Sequence, residues 1–78
     1  MSTMSTKLYD AFCENVRARM SELGMRQADL AKRLNVDKSY VSQILNGHRR
    51  PGLDSLEDFA NALEIEPSDL LKTFSRSA

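Results

Sequence analysis

The 78-residue sequence predicts an all-α domain built from five helices. Apolar residues recur every three or four positions along most of the chain, which is the spacing of a helix with one buried face. No segment shows the apolar–polar alternation of a half-buried strand. Residues that favour helix ends, namely glycine, asparagine and proline, stand near the places where the apolar spacing breaks. A chain of this length forms one domain with a small core.

Helix 1 is expected to run from a cap at Ser5 or Thr6 to Leu23, with Gly24 as a left-handed stop. One apolar stripe marks its buried face, formed by Leu8, Phe12, Val16, Met20 and Leu23. The side chains off this stripe are expected to be solvated, namely Arg17, Arg19 and Glu22. Residues 1–5 are expected to be a flexible N-terminus.

Helices 2 and 3 are predicted on either side of a tight turn, within the segment QADLAKRLNVDKSYVSQILN. Helix 2 runs from Gln27 to Leu34, and Arg26 before it is a poor capping residue. Asn35 tolerates the positive φ that the corner requires. Asp37 can cap helix 3, which is expected to end near Asn46. The apolar positions of the two helices are Ala28, Leu30, Ala31, Leu34, Val41, Ile44 and Leu45.

Helices 4 and 5 complete the predicted domain, residues 6–74. Helix 4 lies between Gly52 and Glu64, with an apolar stripe of Leu53, Leu56, Phe59, Ala60 and Leu63 and an acidic outer face of Asp54, Glu57 and Asp58. Pro67 opens helix 5, which carries Leu70, Leu71 and Phe74. Residues 75–78 are expected to be a flexible C-terminus.

Charge is divided unevenly along this neutral chain. Residues 1–52 hold nine basic and five acidic side chains, a balance of +4. Residues 53–78 hold two basic and six acidic side chains, a balance of −4. Binding to a polyanion depends on a local basic face, so a neutral total does not exclude it.

Cysteine and histidine content excludes several classes of site. With one cysteine, Cys13, and one histidine, His48, the chain has no internal disulfide and no metal-ligand set, so no metal or cofactor is expected. We expect Cys13 to be a small, buried or half-buried apolar side chain. No apolar run is long enough to span a membrane and the N-terminus has no signal-peptide pattern, which predicts a cytoplasmic protein.

A set of residues at fixed spacings resembles the helix-turn-helix domain of the phage repressor/Cro family, also called the XRE family. The resemblance covers Val16 to Leu71 and is carried by Gln27, Leu30, Ala31, Val41, Ser42, Asn46, Gly47, Pro51, Leu56, Ala60 and Leu63. It implies a lambda-repressor-like fold with the helix-turn-helix at helices 2 and 3. It also implies that double-stranded DNA is the partner and that residues 37–46 enter the major groove.

The polar positions of helix 3 form a row toward its N-terminus, where a groove-bound helix contacts base edges. This row predicts base contacts from Lys38, Ser39, Ser42 and Gln43. By analogy with the family, phosphate contacts are expected from Gln27, Tyr40 and Asn46, with charge added by the loop residues Arg49 and Arg50. Arg26 and His48 complete the expected phosphate set. For Gln27 and for the basic loop, ordinary solvated polar residues remain the alternative.

Several positions depart from the family pattern. Many members carry a buried Arg–Glu pair between helix 1 and the recognition helix, where this chain has Met20 and Leu45. An apolar pair there leaves no charge unpaired, so we interpret it as a compensated exchange. Asn35 and Glu64 replace glycines that are common in the family, which puts the shape of the loop at Glu64 in question.

The resemblance predicts a sequence-specific DNA-binding transcription regulator, a repressor in the simplest case, that acts as a homodimer. Phage repressors, restriction-modification controllers and antitoxins all use such domains. The alternative is a protein-interaction module, such as an antitoxin that binds a toxin, with or without DNA binding. The possible protein partners are therefore a toxin or the transcription machinery. An enzyme is not expected, because the sequence has no second histidine, no glycine-rich phosphate loop and no carboxylate set paired with a base. The dimer contact could involve Ile65, Leu70, Leu71 and Phe74, or these residues could simply close the core.

Overall fold

The computed structural model describes the backbone of residues 3–72 and the side chains of residues 8–72. It confirms the five-helix, all-α prediction: the helices are α1 (Thr3–Leu23), α2 (Gln27–Leu34), α3 (Lys38–Leu45), α4 (Leu53–Leu63) and α5 (Pro67–Leu70). The described backbone contains no strand. No helix in this part of the chain has the length and apolar character needed to cross a membrane.

The expectations for the chain ends are tested only in part. Because α1 begins at Thr3, Ser5 and Thr6 lie within the helix, and the cap predicted at either position is wrong. Phe74 and the C-terminus expected at residues 75–78 lie outside the described residues.

One apolar core joins all five helices. Phe12 of α1 and Phe59 of α4 meet edge to face, with ring centroids 5.4 Å apart and an interplanar angle of 69°. This is a favoured arrangement for an aromatic pair. Other fully buried side chains of the core come from α2, α3, α4 and α5 and include Leu30, Val41, Ile44, Leu63 and Leu70. The predicted core stripes are therefore confirmed at their centres.

Three residues assigned to the apolar stripes are instead exposed: Ala28 of α2 faces solvent, and the other two are Leu53 and Leu8. Leu53 is 82% exposed and Leu8 is 47% exposed. Both line a shallow groove whose other apolar residues include Phe12, Leu56 and Leu71. Each therefore has apolar neighbours on one side and solvent on the other. Helical spacing gives the direction of a side chain, but burial also requires another element to cover it.

Left-handed residues follow α1, α2 and α3, and the sequence analysis predicts two of them, Gly24 and Asn35. Gly24, Asn35 and Gly47 have φ values of 65°, 62° and 87°. Glu64 also adopts the left-handed conformation, with φ 61°, so the loop there keeps its shape without glycine. The carboxylate of Glu64 lies 3.2 Å from the Arg33 guanidinium. This exposed ion pair contributes little to the stability of the fold.

The N-terminal ends of α2 and α3 lack side-chain caps from the residues that precede them. Arg26 provides none, as expected, but the Asp29 carboxylate accepts a 3.0 Å hydrogen bond from the Arg26 N–H. Asp37 occupies the cap position of α3 with extended backbone, yet its side chain makes no capping bond. The predicted Asp37 side-chain cap is therefore wrong. Its backbone carbonyl instead accepts from the Tyr40 N–H at 3.0 Å.

Candidate nucleic-acid interface

The corner between α2 and α3 fixes which face of α3 is exposed. Asn35 turns the chain, and the N–H of Val36 donates to the Ala31 carbonyl at 3.0 Å, which closes the end of α2. The apolar residues Val41, Ile44 and Leu45 then pack into the core. Since a helix buries one side only, the opposite side of α3 faces solvent.

The polar row predicted on α3 lies on this outer side. Lys38, Ser39 and Gln43 are exposed, and Ser42 is half-buried. The Ser42 hydroxyl accepts a 3.1 Å hydrogen bond from the Asn46 amide. Among the described residues, the side chains of Lys38, Ser39 and Gln43 have no hydrogen-bond partner. They are therefore available to a ligand that approaches α3.

The basic loop, residues 48–51, follows α3 directly. His48, Arg49 and Arg50 are exposed. The Arg49 guanidinium carbon lies 5.2 Å from the centre of the Tyr40 ring, so this cation sits against α3 itself. The Tyr40 hydroxyl is 3.0 Å from the Ser55 hydroxyl of α4. The loop and the outer side of α3 thus form one continuous surface.

The side chains expected at the start of α2 occupy its N-terminal end. Gln27 is the first residue of the helix and is half-buried, whereas Arg26 before it is exposed. The first backbone N–H groups of a helix lack intrahelical acceptors, and such an end favours anions. Asp29 in the first turn places one negative charge beside them.

Ion pairing differs between this surface and the rest of the domain. The pairs in the described residues are Arg19–Glu22, Arg33–Glu64 and Lys72–Asp69. Within residues 8–72, no carboxylate pairs with Arg26, Lys38, Arg49 or Arg50. The acidic side chains Asp54, Glu57 and Asp58 are exposed on α4, as predicted. The cations of the candidate interface are therefore unpaired within the described residues, whereas Arg19 and Arg33 of the same basic part of the chain are paired elsewhere.

Three side chains of α1 cap the C-terminal end of α3, a role that the sequence analysis missed. Arg17, expected to be merely solvated, donates to the Leu45 carbonyl at 3.0 Å. The Tyr9 hydroxyl donates to the Ile44 carbonyl, and the Cys13 thiol lies 3.5 Å from the same oxygen. The four-residue spacing of Tyr9, Cys13 and Arg17 places them on one face of α1. That spacing was the available signal.

Arg19 and Asn15 cap the ends of other helices in the same way. Arg19 donates to the Leu63 carbonyl at 2.9 Å and to the Glu64 carbonyl at 3.3 Å, so it is not simply solvated. The Asn15 amide donates to the Leu70 and Lys72 carbonyls, both at 2.8 Å. Cations and amide donors satisfy carbonyl groups that a helix end leaves free.

The junction of α1 with α3 is apolar where the family often has charge. Met20 and Leu45 are both buried in the core, 7% and 5% exposed, as the compensated exchange predicts. Cys13 is half-buried and packs against the same core, also as predicted. Burial raises the pKa of the Cys13 thiol above its ordinary value, so the group remains protonated at neutral pH.

The residues suggested for a dimer contact divide between core and surface. Leu70 is fully buried, so it closes the core. Ile65 and Leu71 are half-buried and pack against the core from its edge.

Comparison with known proteins supports the resemblance found in the sequence. A family model described as helix-turn-helix matches residues 16–70. Control protein C.BamHI from Bacillus amyloliquefaciens is 35% identical over 69 residues, which span 87% of this chain and 85% of that protein. The HTH-type transcriptional regulator DdrOP3 from Deinococcus deserti is 32% identical over 60 residues, 77% of this chain and 46% of that protein.

Two solved structures share the fold. The hypothetical transcription factor NHTF from Neisseria matches 87% of this chain and 78% of its own, with a TM-score of 0.82 and 26% identity. The restriction-modification controller protein C.AhdI from Aeromonas hydrophila matches 80% of this chain and 94% of its own, with a TM-score of 0.73 and 32% identity. The chain therefore belongs to the XRE-type helix-turn-helix family and is a DNA-binding transcription regulator.

Proposed function

We propose that this protein is a controller-type regulator that binds a specific operator sequence as a homodimer and represses transcription by occupying the promoter. The observation that carries the proposal is the single surface formed by the outward-facing polar row of α3 and the basic loop, residues 48–51. Stacking of Arg49 on Tyr40 joins the two parts. A surface with hydrogen-bonding groups at its centre and cations beside them fits base edges flanked by phosphates.

Base recognition is assigned to the exposed row of α3. Gln43 can form a bidentate hydrogen bond with adenine, and Lys38 can donate to the O6 and N7 atoms of guanine. Ser39 and Ser42 can pair with several bases and discriminate less. Lys38 and Ser39 lie in the first turn of α3, and Ser42 and Gln43 follow one turn later on the same side, which fits a recognition helix that enters the major groove with its N-terminal residues foremost.

Phosphate binding is assigned to the rim around this row. Arg49 and Arg50 supply charge, and the other proposed contacts are Arg26, Gln27, Tyr40, Asn46 and His48. For Tyr40 the Ser55 contact constrains the hydroxyl, which can accept from Ser55 and donate to a phosphate. For Asn46 the amide is bonded to Ser42, and this bond must rearrange or be shared.

The controller assignment follows from the extent of the similarity. This chain spans 85% of control protein C.BamHI and 94% of the controller protein C.AhdI, so the match involves nearly the whole of each relative. A homodimer is proposed because two recognition helices in successive major grooves lie about 34 Å apart and require a two-fold arrangement. We assign the protein to the cytoplasm, where DNA is accessible, and give it no catalytic role.

A footprint on the DNA upstream of the protein's own gene tests this proposal. Two protected patches centred about 10 base pairs apart and related by symmetry are expected for a dimer. Reporter transcription from the same fragment should fall when the protein is expressed. Uniform, non-specific protection at all concentrations contradicts operator binding, and a rise in transcription contradicts repression.

A further inference from the structure

One side chain of α1, Tyr9, contacts both the end of the recognition helix and the basic loop. Its hydroxyl donates to the carbonyl of Ile44 in α3 and lies 3.2 Å from the carbonyl of Arg49. The guanidinium carbon of Arg50 lies 5.4 Å from the centre of its ring. Tyr9 is thus in contact with the last turn of α3 and with both arginines of the loop.

The hydroxyl of Tyr9 holds the ring in position. Burial raises the pKa of Tyr9 above its ordinary value, so the hydroxyl keeps its proton and remains a donor at neutral pH. A phenol has one proton, which the two carbonyl oxygens share or exchange. With the oxygen held at the end of α3, the ring is held in position beside Arg50.

A ring held in this position restricts where the Arg50 side chain can lie. An exposed cation–π pair favours the stacked arrangement by about two- to fivefold. A free arginine loses rotamer freedom when it binds a phosphate, and that loss weakens binding. If the side chain is already confined beside α3, less freedom is lost on binding.

We propose that Tyr9 is a positioning residue for DNA binding, which holds Arg50 beside the recognition helix before DNA arrives. This inference rests on the proposed function, because it concerns the same surface. The helix-turn-helix family model matches residues 16–70, so Tyr9 lies outside the matched segment. Its role follows from the contacts of α1 in this chain.

A double-mutant cycle measures the proposed coupling between Tyr9 and Arg50. The proteins are wild type, Tyr9→Leu, Arg50→Gln and the double variant, each titrated against labelled operator DNA. Arg50→Gln should weaken binding in the wild-type background, and this loss should be about two- to fivefold smaller when Tyr9 is leucine. An equal loss in the two backgrounds overturns the proposal.

Two further variants separate positioning from a general effect on folding. Tyr9→Phe keeps the ring and removes the hydroxyl. The loss of affinity caused by Arg50→Gln in this background should lie between the losses in wild type and in Tyr9→Leu. Leu8→Ala is the matched control, because Leu8 lines the same groove beside Tyr9 but has no aromatic ring on which an arginine can stack. In the Leu8→Ala background, Arg50→Gln should weaken binding as much as it does in wild type. If the loss caused by Arg50→Gln is as small in Leu8→Ala as in Tyr9→Leu, the result contradicts a specific role for Tyr9.

An NMR measurement on the DNA-free protein tests the stacking directly. The Arg50 side-chain protons should show an upfield ring-current shift in wild type that is lost in Tyr9→Leu. Absence of this shift in wild type overturns the inference. A protein that shows the shift but does not bind any operator contradicts the proposed function, and with it the role in binding. A protein that binds operator with no coupling in the cycle contradicts the inference alone.

Discussion

Replacing Arg49 and Arg50 together with glutamine tests whether the basic loop contacts phosphates. Both side chains are exposed and have no ion pair among the described residues, so their charge is available to DNA. Each lost phosphate contact should reduce the slope of log K against log salt by about 0.9. Two contacts reduce it by about 1.8, so a fourfold rise in salt, from about 50 to 200 mM, should cost the variant about twelvefold less affinity than wild type.

Fluorescence anisotropy titrations at several salt concentrations, on operator and on scrambled duplex, measure this slope. The matched control is Arg33→Gln combined with Lys72→Gln, which changes the net charge equally but removes cations already paired with Glu64 and Asp69. The control should keep the wild-type slope. If the control and the loop variant lose the same slope, the effect comes from net charge. If neither slope changes, the loop does not contact phosphates.

Two other substitutions test specificity and the corner of the motif. Gln43→Ala should cost about 1–3 kcal/mol on operator DNA and much less on scrambled DNA, because it removes base contacts while leaving phosphate contacts intact. Equal losses in titrations of the two duplexes contradict base recognition. Asn35→Ala should lower the free energy of unfolding by about 1 kcal/mol, since alanine tolerates positive φ poorly, whereas Asn35→Gly should stay within about 0.5 kcal/mol of wild type. Urea denaturation measures the free energy of unfolding of both variants, and equal values for Asn35→Ala and Asn35→Gly contradict the argument.

Helix positions were predictable because their signals are local. The apolar spacing of α2 and α3 and the turn residue Asn35 predict these elements from neighbouring residues alone, and the predicted bounds of α2, Gln27–Leu34, are those observed. The predicted start of α1 was wrong, because Ser5 and Thr6 are suitable capping residues that the chain does not use as caps. Capping preference is worth about 1 kcal/mol, which continuation of a helix can outweigh.

The candidate interface was predictable in composition but not in arrangement. The sequence shows that Lys38, Ser39, Ser42 and Gln43 share one side of a helix, since that follows from helical periodicity. It does not show that Arg49 lies on Tyr40, because stacking between residues of different elements depends on how the loop folds back. Nor does it show that Asn46 bonds Ser42, since an exposed amide has several possible partners.

By itself the sequence determined the five helices, the family and the side of α3 that faces outward. These follow from apolar periodicity and from motif spacing, both of which are properties of short segments. Only the tertiary structure decided what satisfies the carbonyl groups at the helix ends. Side chains of α1 reach the ends of α3, α4 and α5, through Arg17, Arg19 and Asn15 respectively. Every helix end has free carbonyl groups, but which distant side chain comes within bonding distance is set by packing.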